Sequence, residues 1–275
     1  MWHGSGHRLA GYSRFPQNLS TIPNSDEAAM YVLLDMYGVL LDHEKTFLGY
    51  RERLADLLAA RFGGSPDAWR QAHDEAFVTY TRRANETDWR GREYGEVVDE
   101  LDAQHLIEMF ERLGIDARPA EPLVLSRELE REALARVNAR YPDARSAIER
   151  LRAKGHHVYV ATGGSETNEA ALRGAGLASL IDGIFSGHSQ HAHKSQPAYW
   201  ADVPKFVAAK APDCVLVDDR LDYLEAAASV GIVALLLDRK GAHRPESMPS
   251  YVTATLRNLA GLPHWVETWT SSRPS

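Results

Sequence analysis

Cysteine is nearly missing: Cys214 is the one such residue in 275. A single thiol cannot close an internal disulfide, and its apolar neighbours make it read as an inert core thiol in a reducing compartment. An excess of basic charge is missing too. The formal net charge is −7, which argues against nucleic acid as a partner while leaving room for a local basic pocket around a small anionic substrate. No apolar run is long enough to span a bilayer, so no membrane partner is expected. The N-terminus lacks the apolar core of a secretion signal, and the expected location is cytoplasmic. Internal repeats are not found. The remainder is ordinary for a globular chain, with 44% hydrophobic and 25% charged residues. A length of 275 residues suits one large domain or two smaller ones, as a monomer or a homodimer.

Residues 1–29 mix Gly, Ser, Pro, Asn and His without periodicity and are expected to form a flexible extension. Tyr31-Val32-Leu33-Leu34 then reads as a short buried strand that stops at Asp35, with Gly38 allowing a sharp turn beyond it. From 45 to 138 the pattern is helical. Phe47, Tyr50, Leu54, Leu57 and Leu58 recur at helical spacing, Ser65-Pro66 opens a second helix, Val97 to Leu113 gives one or two more, and Leu125 to Val137 another. No strand signal interrupts this block. After Pro142 helices and strands alternate. Strands are expected at Val158–Ala161, Leu180–Phe185, Cys214–Val217 and Val233–Leu237, with a last strand-helix piece at 251–259 and a single helix over 197–210. Such alternation means a parallel sheet covered on both faces. The expected organisation is an α/β Rossmann-like core over 30–44 and 139–262, an inserted all-helical segment over 45–138, and a loose tail over 263–275.

Strand ends of a parallel sheet converge on one edge, where ligands bind. Asp35, Thr162 and the pair Asp218-Asp219 all stand at such ends, and Lys194 precedes the helix that starts at Pro197. A lone acid at the end of a buried strand is costly unless a cation, a metal or N–H donors meet it. Acids gathered beside one lysine and a hydroxyl suit a divalent hard cation together with a phosphate-like anion. Thr162, the backbone of Gly163, and Lys194 are candidate anion binders.

Asp35-Met36-Tyr37-Gly38-Val39-Leu40, Thr162, Lys194-Ser195-Gln196-Pro197 and Asp218-Asp219 match, in order and spacing, the four motifs of the haloacid dehalogenase-like superfamily. The chain resembles its members with a helical cap after the first strand, over residues 30–262. The resemblance implies a nucleophilic Asp35, an anion held by Thr162 and Lys194, and Mg²⁺ held by Asp35, the Tyr37 carbonyl and the Asp218-Asp219 pair. It further implies a small phosphorylated substrate, an aspartyl-phosphate intermediate and a cap over 45–138 that sets specificity.

Position 37 departs from the family pattern. Most phosphatases of this superfamily carry an acid–base Asp there. Tyrosine, with a reference pKa of about 10, can donate a proton but is a poor base near neutrality, and a missing acid–base costs about 10²–10⁴-fold. The departure resembles the 2-haloacid dehalogenases, whose halide leaving group needs no proton, and Asp35 acting on carbon is the alternative reading. A third reading is a slow or non-catalytic binding protein. The acidic pair favours phosphate chemistry, because uncompensated carboxylates beside Asp35 would repel a haloacid. Arg51, Arg90 and Arg92 are candidate contacts for an anionic substrate, with Trp89 and Tyr94 as pocket-lining aromatics. His188, His191 and His193, just ahead of Lys194, are read as a solvated loop beside the site.

Overall fold

A computed structural model describes residues 29–87, 92–115, 119–165 and 167–273. Residues 1–28 of the extension expected over 1–29, and Trp89 and Arg90, lie outside the described residues.

Six parallel strands form one sheet in the order β3-β2-β1-β4-β5-β6. They are β1 (Tyr31–Leu34), β2 (His157–Thr162), β3 (Gly183–Ser186), β4 (Cys214–Asp218), β5 (Val233–Leu237) and β6 (Val252–Leu256). The central position of β1 follows from its composition: Val32, Leu33 and Leu34 are fully buried. Alternation sends their side chains to opposite faces. Val32 and Leu34 join an apolar layer with Ile148, Leu151 and Leu172, while Leu33 joins the other with Trp200, Phe206 and Leu224. Each layer is covered by helices, which makes the core a three-layer, Rossmann-like α/β fold.

Four helices follow β1: α1 (His43–Phe62), α2 (Pro66–Glu86), α3 (Tyr94–Arg112) and α4 (Pro122–Leu134). Asp42 caps α1 by accepting from the Lys45 N–H, and Ser65 caps α2 by accepting from the Ala68 N–H. The four share an apolar centre of their own, built on Leu54, Leu58, Trp69, Phe110 and Leu129. The chain then re-enters the core through α5 (Ala144–Ala153) and α6 (Asn168–Gly174).

Several expectations need revision. The single helix expected over 197–210 is two short ones, α8 (Pro197–Ala201) and α9 (Val203–Val207), after a one-turn α7 (Gly187–Gln190). Pro204 lies in the first turn of α9, so the missing proline N–H marks a new helix start and not the middle of an old one. The strand expected from Leu180 begins only at Gly183, because residues 178–180 form a 3₁₀ turn. Beyond α10 (Leu221–Ser229), the tail expected over 263–275 is largely α11 (Leu262–Ser272). Its buried Leu262 and Val266 complete the apolar layer on the Val32 face, and Trp265 stacks on Trp269 at 5.2 Å. No helix among the described residues is long and apolar enough to cross a membrane.

Candidate active site

The register of the sheet explains how residues so far apart in sequence meet. Leu34 lies beside Val217 on β4 and Val160 on β2. One residue further, the Asp35 N–H donates to the Val217 carbonyl at 3.0 Å, so Asp35 stands level with Asp218. Asp35, Asp218 and Asp219 each place a carboxylate oxygen within 4.8 Å of the others. Asp35 is 9% exposed, Asp218 is fully buried, and Asp219 is exposed.

Lys194, 1% exposed, is tied into this cluster. Its Nζ donates to Asp35 Oδ1 at 2.5 Å, to Asp218 Oδ2 at 2.7 Å and to the Ala161 carbonyl at 3.1 Å. Its backbone is fixed by the Trp200 indole N–H, which donates to the Lys194 carbonyl at 2.7 Å. The two carboxylates hold the ammonium firmly charged despite burial. Asp218 accepts also from the Arg220 N–H at 3.0 Å, so both its oxygens are engaged. The second oxygen of Asp35 carries no such bond to the lysine, and Asp219 opens to solvent.

Three carboxylates face one ammonium. Burial, the largest cause, raises all three acids, and it pushes Asp218 up to about 7 against the opposing pull of Lys194. The surplus of negative charge and the all-oxygen donor set are what a hard divalent cation requires. A buried threonine, Thr162, ends β2 beside β1, with the Gly164 N–H donating to its Oγ1 at 3.4 Å. Tyr199 fixes the same strand end by donating to the Thr162 carbonyl at 3.1 Å and to the Phe185 carbonyl at 2.8 Å.

The loop after Asp35 is built around Gly38, at φ +90°, where a Cβ would overlap the Asp219 carboxylate. Arg239 holds this loop by donating to the Gly38 and Val39 carbonyls at 3.2 and 2.8 Å while paired with Asp143 at 3.0 Å. Burial above all, then Glu130 and Asp35, raises the Tyr37 phenol well above its usual range, so it stays protonated at neutral pH.

The structure thus brings Asp35, Thr162, Lys194, Asp218 and Asp219 to one edge, with Tyr37 and Gly163 in the adjoining loops. Gly163 lies against Tyr94, whose hydroxyl oxygen would be 3.2 Å from a Cβ at that position. Two candidate arginines pair with carboxylates of the helical segment. Arg51 forms a two-pronged pair with Asp74, at 2.6 and 2.5 Å, and Arg92 pairs with the exposed Glu100 at 2.8 Å.

The histidines before Lys194 are only partly solvated: His191 is exposed, while His188 and His193 are half-buried. His188 Nε2 lies 3.0 Å from Asp99 Oδ1 and His191 Nδ1 lies 3.0 Å from Glu93 Oε1, so α7 docks on the start of α3. Sequence reading missed Arg127, which is 6% exposed and meets Asp99, Asp102 and Glu130 at 2.8, 2.6 and 3.2 Å. It donates also to Ser165 Oγ at 2.9 Å, joining α4 to the loop after β2.

Comparison with known proteins agrees with this geometry. A phosphatase of Mycobacterium tuberculosis, MT3486, is 33% identical over 132 residues, 44% of this chain and 61% of that protein. Enolase-phosphatase E1 of Pseudomonas aeruginosa is 27% identical over 127 residues, 45% of this chain and 51% of that enzyme. The chain thus matches about half to three-fifths of the length of these curated relatives. Among solved structures, a 2-haloacid dehalogenase from Pseudomonas syringae superposes with a TM-score of 0.63 at 21% identity, over 88% of this chain and all of that one. A HAD phosphatase from Thermococcus onnurineus superposes at 0.58 and 20% identity, over 86% and 97%. At such identities these structures establish the fold. The model of the haloacid dehalogenase-like hydrolases matches residues 30–231, and this chain, with its acids at the ends of β1 and β4, belongs to that family of hydrolases.

Proposed function

We propose that the chain is a Mg²⁺-dependent phosphatase acting on a small phosphorylated molecule, with Asp35 as nucleophile and residues 45–138, which hold nearly all of α1–α4, as the cap over the site. The observation that carries this reading is the cluster of three carboxylates within 4.8 Å facing one lysine. Asp35, Asp219 and the Tyr37 carbonyl would hold Mg²⁺, with Asp218 linking them to Lys194. The ion, when bound, neutralises charge on the phosphoryl oxygens and lets an anionic nucleophile approach an anionic ester.

Lys194 fixes Asp35 through Oδ1, leaving Oδ2 to attack phosphorus. The new bond is Asp35 Oδ2–P and the bond broken is that between phosphorus and the leaving oxygen. Thr162 and the N–H groups beside it hold the phosphoryl oxygens. Tyr37 keeps its proton and can hydrogen-bond the departing oxygen, but it supplies no base for the water that must then hydrolyse the aspartyl phosphate. Good leaving groups are therefore favoured in the first step, and the second step is slow. The phosphatase names of the curated relatives support this reading.

Tyr37 also keeps open a second reading, attack of Asp35 on the carbon of a 2-haloacid, because halide leaves without a proton. The two separate in one experiment. Hydrolysis of p-nitrophenyl phosphate that needs Mg²⁺ and is lost in Asp35→Asn supports the phosphatase. Chloride release from 2-chloropropionate without metal supports the dehalogenase. Activity on neither would leave a binding protein.

A further inference from the structure

Beside Tyr37 lies a cavity of about 210 Å³ whose other described lining residues all belong to helices α1–α4. Tyr37, two residues beyond Asp35, is the one residue of the candidate site among the described lining residues, and it places the cavity next to that site. The proposed function leaves the chemistry of this cavity unused. Its walls are mostly rings. Phe47 and Phe77 lie 4.8 Å apart, and Tyr80 stacks on Phe77 at 5.7 Å. Its charged lining is acidic, Asp102 and Glu130, with no lysine or arginine among the described lining residues; Arg127 behind them meets both and Asp99 as well, one cation for three carboxylates.

Two histidines add a more specific requirement. The Nε2 atoms of His73 and His105 are buried without a hydrogen-bond partner. His73 Nδ1 lies 3.4 Å from Asp74 Oδ1, a carboxylate that can only accept, so Nδ1 carries the proton. His105 is hydrogen-bonded to the backbone of His73. Burial lowers both imidazoles, His105 to about 3, so each ring is neutral at pH 7. The Nε2 of His73 is therefore an acceptor, and it needs a donor from whatever fills the cavity. Leaving a buried acceptor unmet costs about 1–3 kcal/mol.

We infer that this cavity takes the leaving group of the substrate, and that this group carries a protonated amine. Aromatic faces attract a cation, two carboxylates complement it, and ammonium N–H groups meet the ring nitrogens. A leaving group bearing a carboxylate would face Asp102 and Glu130, whose cation, Arg127, is already shared among three carboxylates. The inference rests on the phosphatase reading for its substrate but not for its cavity.

The test uses three aryl phosphates of one skeleton, so that leaving-group protonation does not limit the rate: 4-(2-aminoethyl)phenyl phosphate, 4-propylphenyl phosphate and 3-(4-phosphooxyphenyl)propanoate. Expected is a kcat/KM for the amine roughly tenfold or more above the propyl ester, and lowest for the carboxylate. His105→Phe should shrink the amine-to-propyl ratio roughly fivefold or more. Equal rates for amine and propyl esters, or preference for the carboxylate, overturn the inference while p-nitrophenyl phosphate turnover leaves the phosphatase reading standing. If no phosphate is hydrolysed, thermal melts of the wild type with tyramine and with 4-propylphenol decide. Selective stabilisation by tyramine upholds the cavity assignment without the phosphatase, and equal or no stabilisation refutes it.

Discussion

At the scale of single residues, two positions have sharp consequences. Gly38 has no room for a side chain, because any Cβ would strike the Asp219 carboxylate, and its positive φ adds strain for any other residue. Gly38→Ala is expected to move Asp219 and to destabilise the fold by about 1–2 kcal/mol. Phosphatase activity should fall far more than stability does, read by turnover at a temperature well below the melting transition. Tyr37 tests the leaving-group argument. Tyr37→Asp supplies the missing acid and base, so turnover of an alkyl phosphate should rise by about 10²-fold and that of p-nitrophenyl phosphate by less. In the wild type, hydrolysis of the aspartyl phosphate lacks a base, so a stopped-flow burst of p-nitrophenolate is expected, and Tyr37→Asp should remove it. A gain equal for both esters, with no change in the burst, would mean that position 37 does not govern proton transfer.

At the scale of elements, polar links join the helical segment to the core beside the apolar contacts of Leu134 and Tyr50. Asp99 on α3 meets His188 of α7, and Arg127 on α4 meets Asp99, Asp102, Glu130 and the core's Ser165. Arg127→Met removes the cation from three half-buried carboxylates, at a cost of about 2–3 kcal/mol. Burial already raises Asp102 to about 7 although Arg127 opposes it. A carboxyl raised in the fold lowers stability as pH rises from its unfolded value of 3.8 through its folded one. The variant's loss should therefore be greatest near pH 7 and shrink toward pH 4, as followed by urea midpoints. None of this was legible beforehand. In Ser126-Arg127-Glu128-Leu129-Glu130 a buried arginine looks the same as the surface ones around it, since periodicity reports apolar residues only. Phe47 and Tyr50 failed for a related reason. Their helical spacing marks a face turned away from water, and it is the same whether that face packs on protein or walls a cavity. The alternation of β-strands with helices was legible because each strand is an apolar run ending at a polar residue, as in Val215-Leu216-Val217-Asp218. The last helix was missed because Pro263 and the serines near its end resemble a tail, although Leu262 and Val266 keep the spacing of a buried stripe.

At the scale of the whole molecule, folding itself assembles the charge that a cation would relieve. Asp35 and the pair at 218–219 are nearly two hundred positions apart, and only the parallel register of β1 against β4 brings them together. This convergence was readable from the sequence because a parallel sheet sends all its strand ends to one edge. In the unfolded chain the same carboxylates are separate and weakly basic toward a metal. A cation that binds the folded state alone must stabilise it by mass action, by about 2.7 kcal/mol at a concentration one hundred times its Kd. For a chain of this size that is a rise of several degrees in Tm. Adding Mg²⁺ to chelator-treated protein should therefore raise the melting temperature in proportion to the logarithm of its concentration, and added chelator should reverse the rise. Asp219→Asn keeps the Lys194 pairs of Asp35 and Asp218 but removes the most open of the three carboxylates, so its melting temperature should respond little to Mg²⁺. With a net charge of −7, general screening could also stabilise the chain, and an equal ionic strength of NaCl distinguishes the two. If sodium chloride reproduces the shift, or if Asp219→Asn responds as the wild type does, the carboxylates at this edge do not hold the ion.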